Sequence, residues 1–153
     1  MFWTEGYQKY SNSTCINGST SCTTGAWYDN RNEDVNFQVC DKAGNCNVVT
    51  SPIKVDRNLP TLTITYPTDI PKGTWFNKVM YDKDNYAYDL TLNGNDVGSG
   101  IKDYAYKSSD DNDYVVLNCA NGSESCDTGA WTKARNEDVS IRVCDNADNC
   151  VVE

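Results

Sequence analysis

An internal repeat that contains every cysteine of the chain is the strongest constraint on its fold. STCINGSTSCTTGAW (13–27) aligns with LNCANGSESCDTGAW (117–131), and NRNEDVNFQVCDKAGNC (30–46) aligns with ARNEDVSIRVCDNADNC (134–150). Cys15 falls on Cys119 and Cys46 on Cys150 without a gap, an offset of 104 residues, and about two-thirds of the positions between these cysteines are identical. A period near 100 residues is too long for a solenoid repeat and is the size of one β-sandwich domain. The frame is cut unevenly. Met1 aligns with Ala105, and no earlier stretch matches residues 54–104. The expected organisation is a partial repeat, 1–53, lacking its early strands, and a complete repeat, 54–153. KVDRNLP (54–60) is the joint, and Pro60 biases Leu59 towards extended backbone.

No stretch keeps a helical period, and the alternation is that of strands. In the complete repeat, Leu62, Ile64 and Tyr66 alternate with Thr63 and Thr65. Tyr86, Tyr88, Leu90 and Leu92 alternate with Ala87, Asp89 and Thr91. NGNDVGSG (93–100) is expected to be a turn. Strands follow at Ile101–Lys107, Tyr114–Leu117 and Val139–Val143, and a last one begins at Val151. Turns every eight to twelve residues between half-buried strands give the expected fold class: all-β, an immunoglobulin-like antiparallel β-sandwich in tandem repeats.

Eight cysteines and no histidine point to disulfides in an oxidising compartment, because thiols at this density persist there as cystines. The metal reading is weak: zinc sites use tighter cysteine pairs, often with histidine, whereas these spacings are C-x6-C and C-x5-C. Four cysteines per repeat allow three pairings. Local pairing fits best. Cys40 and Cys46 flank DKAGN, Cys144 and Cys150 flank DNADN, and opposed residues of an antiparallel hairpin lie within disulfide reach. Cys15 with Cys22 would close INGSTS, and Cys119 with Cys126 would close ANGSES. Alternation puts Val139, Ile141 and Val143 inward, and so places Cys144 outward with Ser140 and Arg142. Cys40 is likewise outward, opposite Val35, Phe37 and Val39.

Four segments, VDRNLPTLTI (55–64), GSGIKDYAYKSS (98–109) and the paired VCDKAGNC (39–46) and VCDNADNC (143–150), resemble bacterial immunoglobulin-like repeats of surface adhesins and cell-wall proteins. Asp56, Pro60 and Thr61 match the joint of such repeats, and Asp41, Ala43, Gly44 and Asn45 match their closing turn. Asp148 replaces the turn glycine in the second copy, so that turn is expected to differ or to be strained. The cysteine pairs depart from the general family pattern. The resemblance implies a structural stalk or spacer of an extracellular, secreted or surface-anchored protein, without catalysis or cofactor. Neighbouring repeats of the same kind are the implied partners.

Other chemistry is thinly represented. A net charge of −9 disfavours nucleic acid and anionic membranes, and no segment is apolar enough to span a bilayer. MFWTEGYQKY lacks the pattern of a signal peptide, so an export signal is expected outside this segment. No nucleophile elbow or phosphate-binding loop is present. Asp41, Asp56 and Asp145 are candidate calcium ligands, set against their ordinary use in bonding their own turns. Trp3, Trp27, Trp75 and Trp131 are candidate sugar platforms, set against core or rim packing. Asn12, Asn17 and Asn121 begin glycosylation triplets that also arise by chance. Two further functions stay open: an adhesive or carbohydrate-binding module, and a self-assembling subunit in which another copy completes the exposed strand edges of residues 1–53.

Overall fold

The computed structural model describes residues 2–4, 7–11, 15–16, 18–67, 72–73, 89–129 and 138–153. All regular structure among them is β, and every strand pair is antiparallel. The chain divides into two compact units, residues 1–57 and 58–153.

The first unit holds β1 (Phe2–Thr4), β2 (Tyr7–Ser11), β3 (Arg31–Cys40) and β4 (Cys46–Val55) in one sheet of order β2-β1-β3-β4. The long hairpin β3–β4 is its backbone, in continuous register from Arg31 opposite Val55 to Cys40 opposite Cys46. Val35 is fully buried, but the apolar face it begins does not stay covered: Val39 is 70% exposed and Val49 60%.

The second unit has two sheets. β5 (Thr61–Thr65), β6 (Thr91–Asn95) and β9 (Ser125–Asp127) form one, in the order β5-β6-β9. The other holds β7 (Ile101–Ser108), β8 (Val115–Val116), β10 (Val139–Asp145) and β11 (Cys150–Val152), in the order β11-β10-β7-β8. Leu90, just before β6, and Leu92 and Cys126 from the first sheet form one core cluster with Ile101, Tyr104, Ile141 and Val143 from the second. Period-two alternation explains that cluster. Ile141 and Val143 point inward between outward Ser140 and Arg142, and Leu62 and Ile64 pack against the same core from β5. Fully burying one such aliphatic side chain is worth about 1.5–3 kcal/mol.

Two expectations change. The segment 93–100 is not all turn: Asn93, Gly94 and Asn95 continue β6, and the bend is confined to residues 96–100. Cys144 is buried, 4% exposed, although alternation places it on the outward face. β10 is a central strand, so Cys144 is flanked on that face by Asp103 of β7 and Cys150 of β11. Cys40 has β4 beside it, while β1 reaches only Asn36 and Phe37, and Cys40 stays exposed. The turn carrying Asp148 keeps the form of its counterpart with Asp148 itself left-handed at φ 64°, the strained one of the two expected outcomes. The expected strand residues Tyr86–Tyr88 lie outside the described residues.

Candidate functional site

The feature built in both units is a hairpin clamped by a cystine and closed by an aspartate. Four disulfides join Cys15–Cys22, Cys40–Cys46, Cys119–Cys126 and Cys144–Cys150. In the first hairpin, Asp41 Oδ1 accepts from the amides of Ala43 and Asn45, both at 2.9 Å, and Oδ2 accepts from Asn45 Nδ2 at 2.8 Å. In the second, Asp145 Oδ1 accepts from the amides of Ala147 and Asn149, and Oδ2 from Asn149 Nδ2, all at 2.8 Å. Backbone bonds repeat as well. Asp41 donates to the Asn45 carbonyl and Asp145 to the Asn149 carbonyl, while Gly44 and Asp148 donate back to the Asp41 and Asp145 carbonyls. An aspartate that bonds its own turn fixes the loop without help from the rest of the fold.

The fourth turn residue must be left-handed. Gly44 takes φ +91° at no steric cost, and Asp148 takes φ 64°. Aspartate tolerates this region better than most residues. Its side chain is also held by an ion pair, Lys102 Nζ to Asp148 Oδ1. The replacement therefore keeps the turn type.

Surroundings separate the two copies. Asp41 is exposed, whereas Asp145 has no solvent exposure. The second turn is seated on the loop 96–100. Asn146 donates its amide to the Gly100 carbonyl at 3.0 Å and its Nδ2 to the Ser99 carbonyl at 3.0 Å, and the Ala147 amide donates to Ser99 Oγ at 3.2 Å. The hydrogen bond from the Asn45 side chain, followed by that from its amide, holds the Asp41 carboxyl below its ordinary value. A depressed folded-state value means that the ionised form stabilises the turn. That contribution is present above the ordinary carboxylate range and is lost as pH falls through the folded value. Acid titration followed by NMR is expected to show Asp41 protonating below 3.8, with the Ala43 and Asn45 amides shifting in step. A titration at or above 3.8 would remove the bonds from this role.

The other two cystines differ by location. Cys126 is 3% exposed and belongs to the core cluster, with Cys119 packed against it, whereas Cys15 and Cys22 are exposed. Closing such small loops is worth about 2 kcal/mol in the chain-entropy account. Replacing Cys119 and Cys126 with alanine is expected to lose that and the core packing, about 3 kcal/mol in all. Replacing Cys15 and Cys22 is expected to lose the loop contribution alone. Chemical denaturation of the two double variants checks the difference.

The structure places the other sequence candidates as follows. Asp41 keeps its carboxylate within its own turn, and Asp56 follows β4, half-buried. Asp145 has a neighbour that the sequence did not single out: Asp96, with carboxylate oxygens of the two residues within 4.8 Å. Asp96 Oδ2 accepts from the Gly98 and Gly100 amides at 3.1 and 2.7 Å. Its Oδ1 is buried and accepts no hydrogen bond from the described residues. Carboxylate oxygens are the hard donors that calcium takes. Asp96 was legible only as one polar residue among many in NGNDVGSG. Trp27 is half-buried, and the Arg31 guanidinium lies over its ring at 4.9 Å, which occupies one face. Trp75 and Trp131 lie outside the described residues, as do Asn12 and Asn17, and only the backbone of Trp3 is described, in β1. Asn121 is exposed, with its Nδ2 donating to Asn146 Oδ1 at 3.2 Å.

Four disulfides suit an oxidising, non-cytoplasmic setting. Among the described residues no helix is long and apolar enough to cross a membrane. No protein-family model, curated protein or solved structure matches this chain.

Proposed function

We propose that the chain is a structural spacer of a secreted or cell-surface protein, built from immunoglobulin-like repeats in tandem and without catalysis. The observation that carries this reading is the repeated clamp: a cross-strand cystine and an aspartate-closed turn, with the same set of turn hydrogen bonds at Asp41 and at Asp145. What the chain duplicates is a device that holds hairpin ends shut. Fraying of such ends is where local unfolding and proteolysis begin. Covalent closure of each loop suits a chain that must persist outside the cell, where no chaperone refolds it. The repeat length and the resemblance of the joint at 56–61 and the turn at 41–45 to bacterial surface-adhesin repeats support the same reading.

Two measurements test it together. The oxidised chain is expected to resist trypsin for hours and to be digested within minutes after reduction, while a glycan array stays blank. Equal digestion in both states would remove the protective role of the clamps. A specific glycan hit abolished by Trp27→Ala would replace the spacer reading with an adhesive one.

A further inference from the structure

Each clamped hairpin is closed twice, once by its cystine and once by hydrogen bonds that involve no sulfur. In the second unit the second closure flanks Cys150 on both sides. Before it, Asp145 Oδ1 holds the Ala147 and Asn149 amides, Oδ2 holds Asn149 Nδ2, and the Asp145 amide donates to the Asn149 carbonyl at 3.0 Å. After it, Ile141 and Glu153 exchange backbone bonds of 2.8 and 2.9 Å. Cys144 and Cys150 stand opposite each other, their Cα atoms 4.2 Å apart. The contacts that keep them so would outlast the sulfur–sulfur bond.

The two sulfurs are not equally open to attack. Exchange begins when a thiolate attacks one sulfur, and it must approach from the side away from the other. For Cys150 that side is the free edge of the sheet, since β11 is an edge strand, and Cys150 is exposed. For Cys144 that side is β7, where Asp103 stands beside it, and Cys144 is 4% exposed. The shortness of β11 is not what exposes Cys150: Cys46 holds the same place at the head of the ten-residue β4 and is exposed as well. The other cystine of the unit has no exposed member, because Cys119 is half-buried and Cys126 buried.

We propose that Cys144–Cys150 is a self-resealing clamp that takes up a small monothiol at Cys150 alone. The monothiol's thiolate attacks Cys150 Sγ and forms a mixed disulfide there. The bond to Cys144 breaks, and its electron pair leaves Cys144 as a thiolate. The hydrogen-bonded turn keeps that thiolate facing the mixed disulfide. Its return attack on Cys150 Sγ restores the cystine and releases the monothiol as thiolate, so the cycle carries no net oxidation or reduction. The return is intramolecular and runs at an effective concentration far above that of a dilute thiol. Net reduction needs a second thiolate to attack the monothiol's own sulfur before the clamp recloses. Asp145 is thus a positioning residue for the cystine as well as a closure of the hairpin. The exchange does not depend on the spacer reading.

The test incubates the full chain with about 1 mM 2-mercaptoethanol, quenches with acid, alkylates free thiols and maps the peptides by mass spectrometry. The adduct of this pair is expected on Cys150 only, with Cys144 alkylated, in under about a tenth of the molecules. Asn149→Ala removes the Nδ2 bond to Asp145 and keeps the backbone bonds of the turn. It is expected to raise the adduct about threefold, and Asp145→Asn to raise it further. Adduct at Cys119–Cys126 in the same digest reads the folding of the unit and is expected to stay unchanged in Asn149→Ala. The proposal is overturned by adduct on Cys144, by adduct in most parent molecules, or by no adduct in any form of the chain. Equal adduct in the parent and in Asn149→Ala, or a rise that Cys119–Cys126 shares, overturns it as well.

Discussion

Gly94→Ala is expected to destabilise the second unit by about 2–3 kcal/mol, a drop in melting temperature on the order of 10–20 °C for a unit of this size. A Cβ at Gly94 would lie 2.7 Å from Tyr104 Oη and 3.2 Å from two carbons of its ring. A flexible side chain would move aside, but Tyr104 cannot. It is 1% exposed, packs in the core cluster, accepts from the Gly94 amide at 3.0 Å and donates to the Ser123 carbonyl at 3.0 Å. Burial also pushes the Tyr104 hydroxyl above its ordinary value, so it remains a donor through the neutral range. A double-mutant cycle isolates the clash. Tyr104→Phe alone is expected to cost about 1 kcal/mol for the lost hydroxyl bonds. Because it removes the atom nearest the new methyl, the double variant is expected to be more stable than the sum of the two singles by about 1 kcal/mol. Strict additivity would show that the alanine acts through β6 backbone preference and not through the ring. Hydrogen exchange of amides in 89–129 reads the effect without interference from the first unit.

Gly94 also shows where sequence reading succeeds and fails in this chain. The alternation of Val139, Ile141 and Val143 identified β10 and its inward face because one strand with a covered face writes its period directly into the sequence. Cystine pairing was legible for a similar reason: a five-residue turn in register leaves Cys40 opposite Cys46 and Cys144 opposite Cys150. Asn93, Gly94 and Asn95 look like turn formers. They are strand because β6 lies between β5 and β9, and because the bare Gly94 admits Tyr104. A glycine within a strand marks a close approach, and that signal was available. Burial of Cys144 was not legible, since period two assigns a face and says nothing about what flanks it. The pairing of Asp96 with Asp145 joins residues 49 positions apart and follows from the seating of one loop on one turn. No local pattern encodes it.

The same seating governs the second large effect. Asp145→Ala is expected to cost the second unit about 3 kcal/mol, and Asp41→Ala is expected to cost the first distinctly less, although the two carboxylates accept the same set of bonds. The deciding difference is water. When Asp41 is removed, the amides of Ala43 and Asn45 are free to hydrate, because the whole turn 41–45 is exposed. With Asp145 gone, the Ala147 and Asn149 amides lose their acceptor in a turn held against Ser99 and Gly100, and the emptied carboxylate position is inaccessible to solvent. Asp145→Asn separates shape from acceptor capacity. The amide retains one oxygen for the two backbone donors but turns a second donor towards Asn149 Nδ2, and about 2 kcal/mol is expected. Site-resolved hydrogen exchange is the measurement, since global melting mixes the two units. If Asp41→Ala and Asp145→Ala open their hairpins equally, the turn bonds carry the stability by themselves and the covering loop contributes nothing. An asparagine variant as stable as the parent would show that neither the charge nor the second acceptor oxygen matters to the clamp, and that the one oxygen bonded to the Ala147 and Asn149 amides carries it.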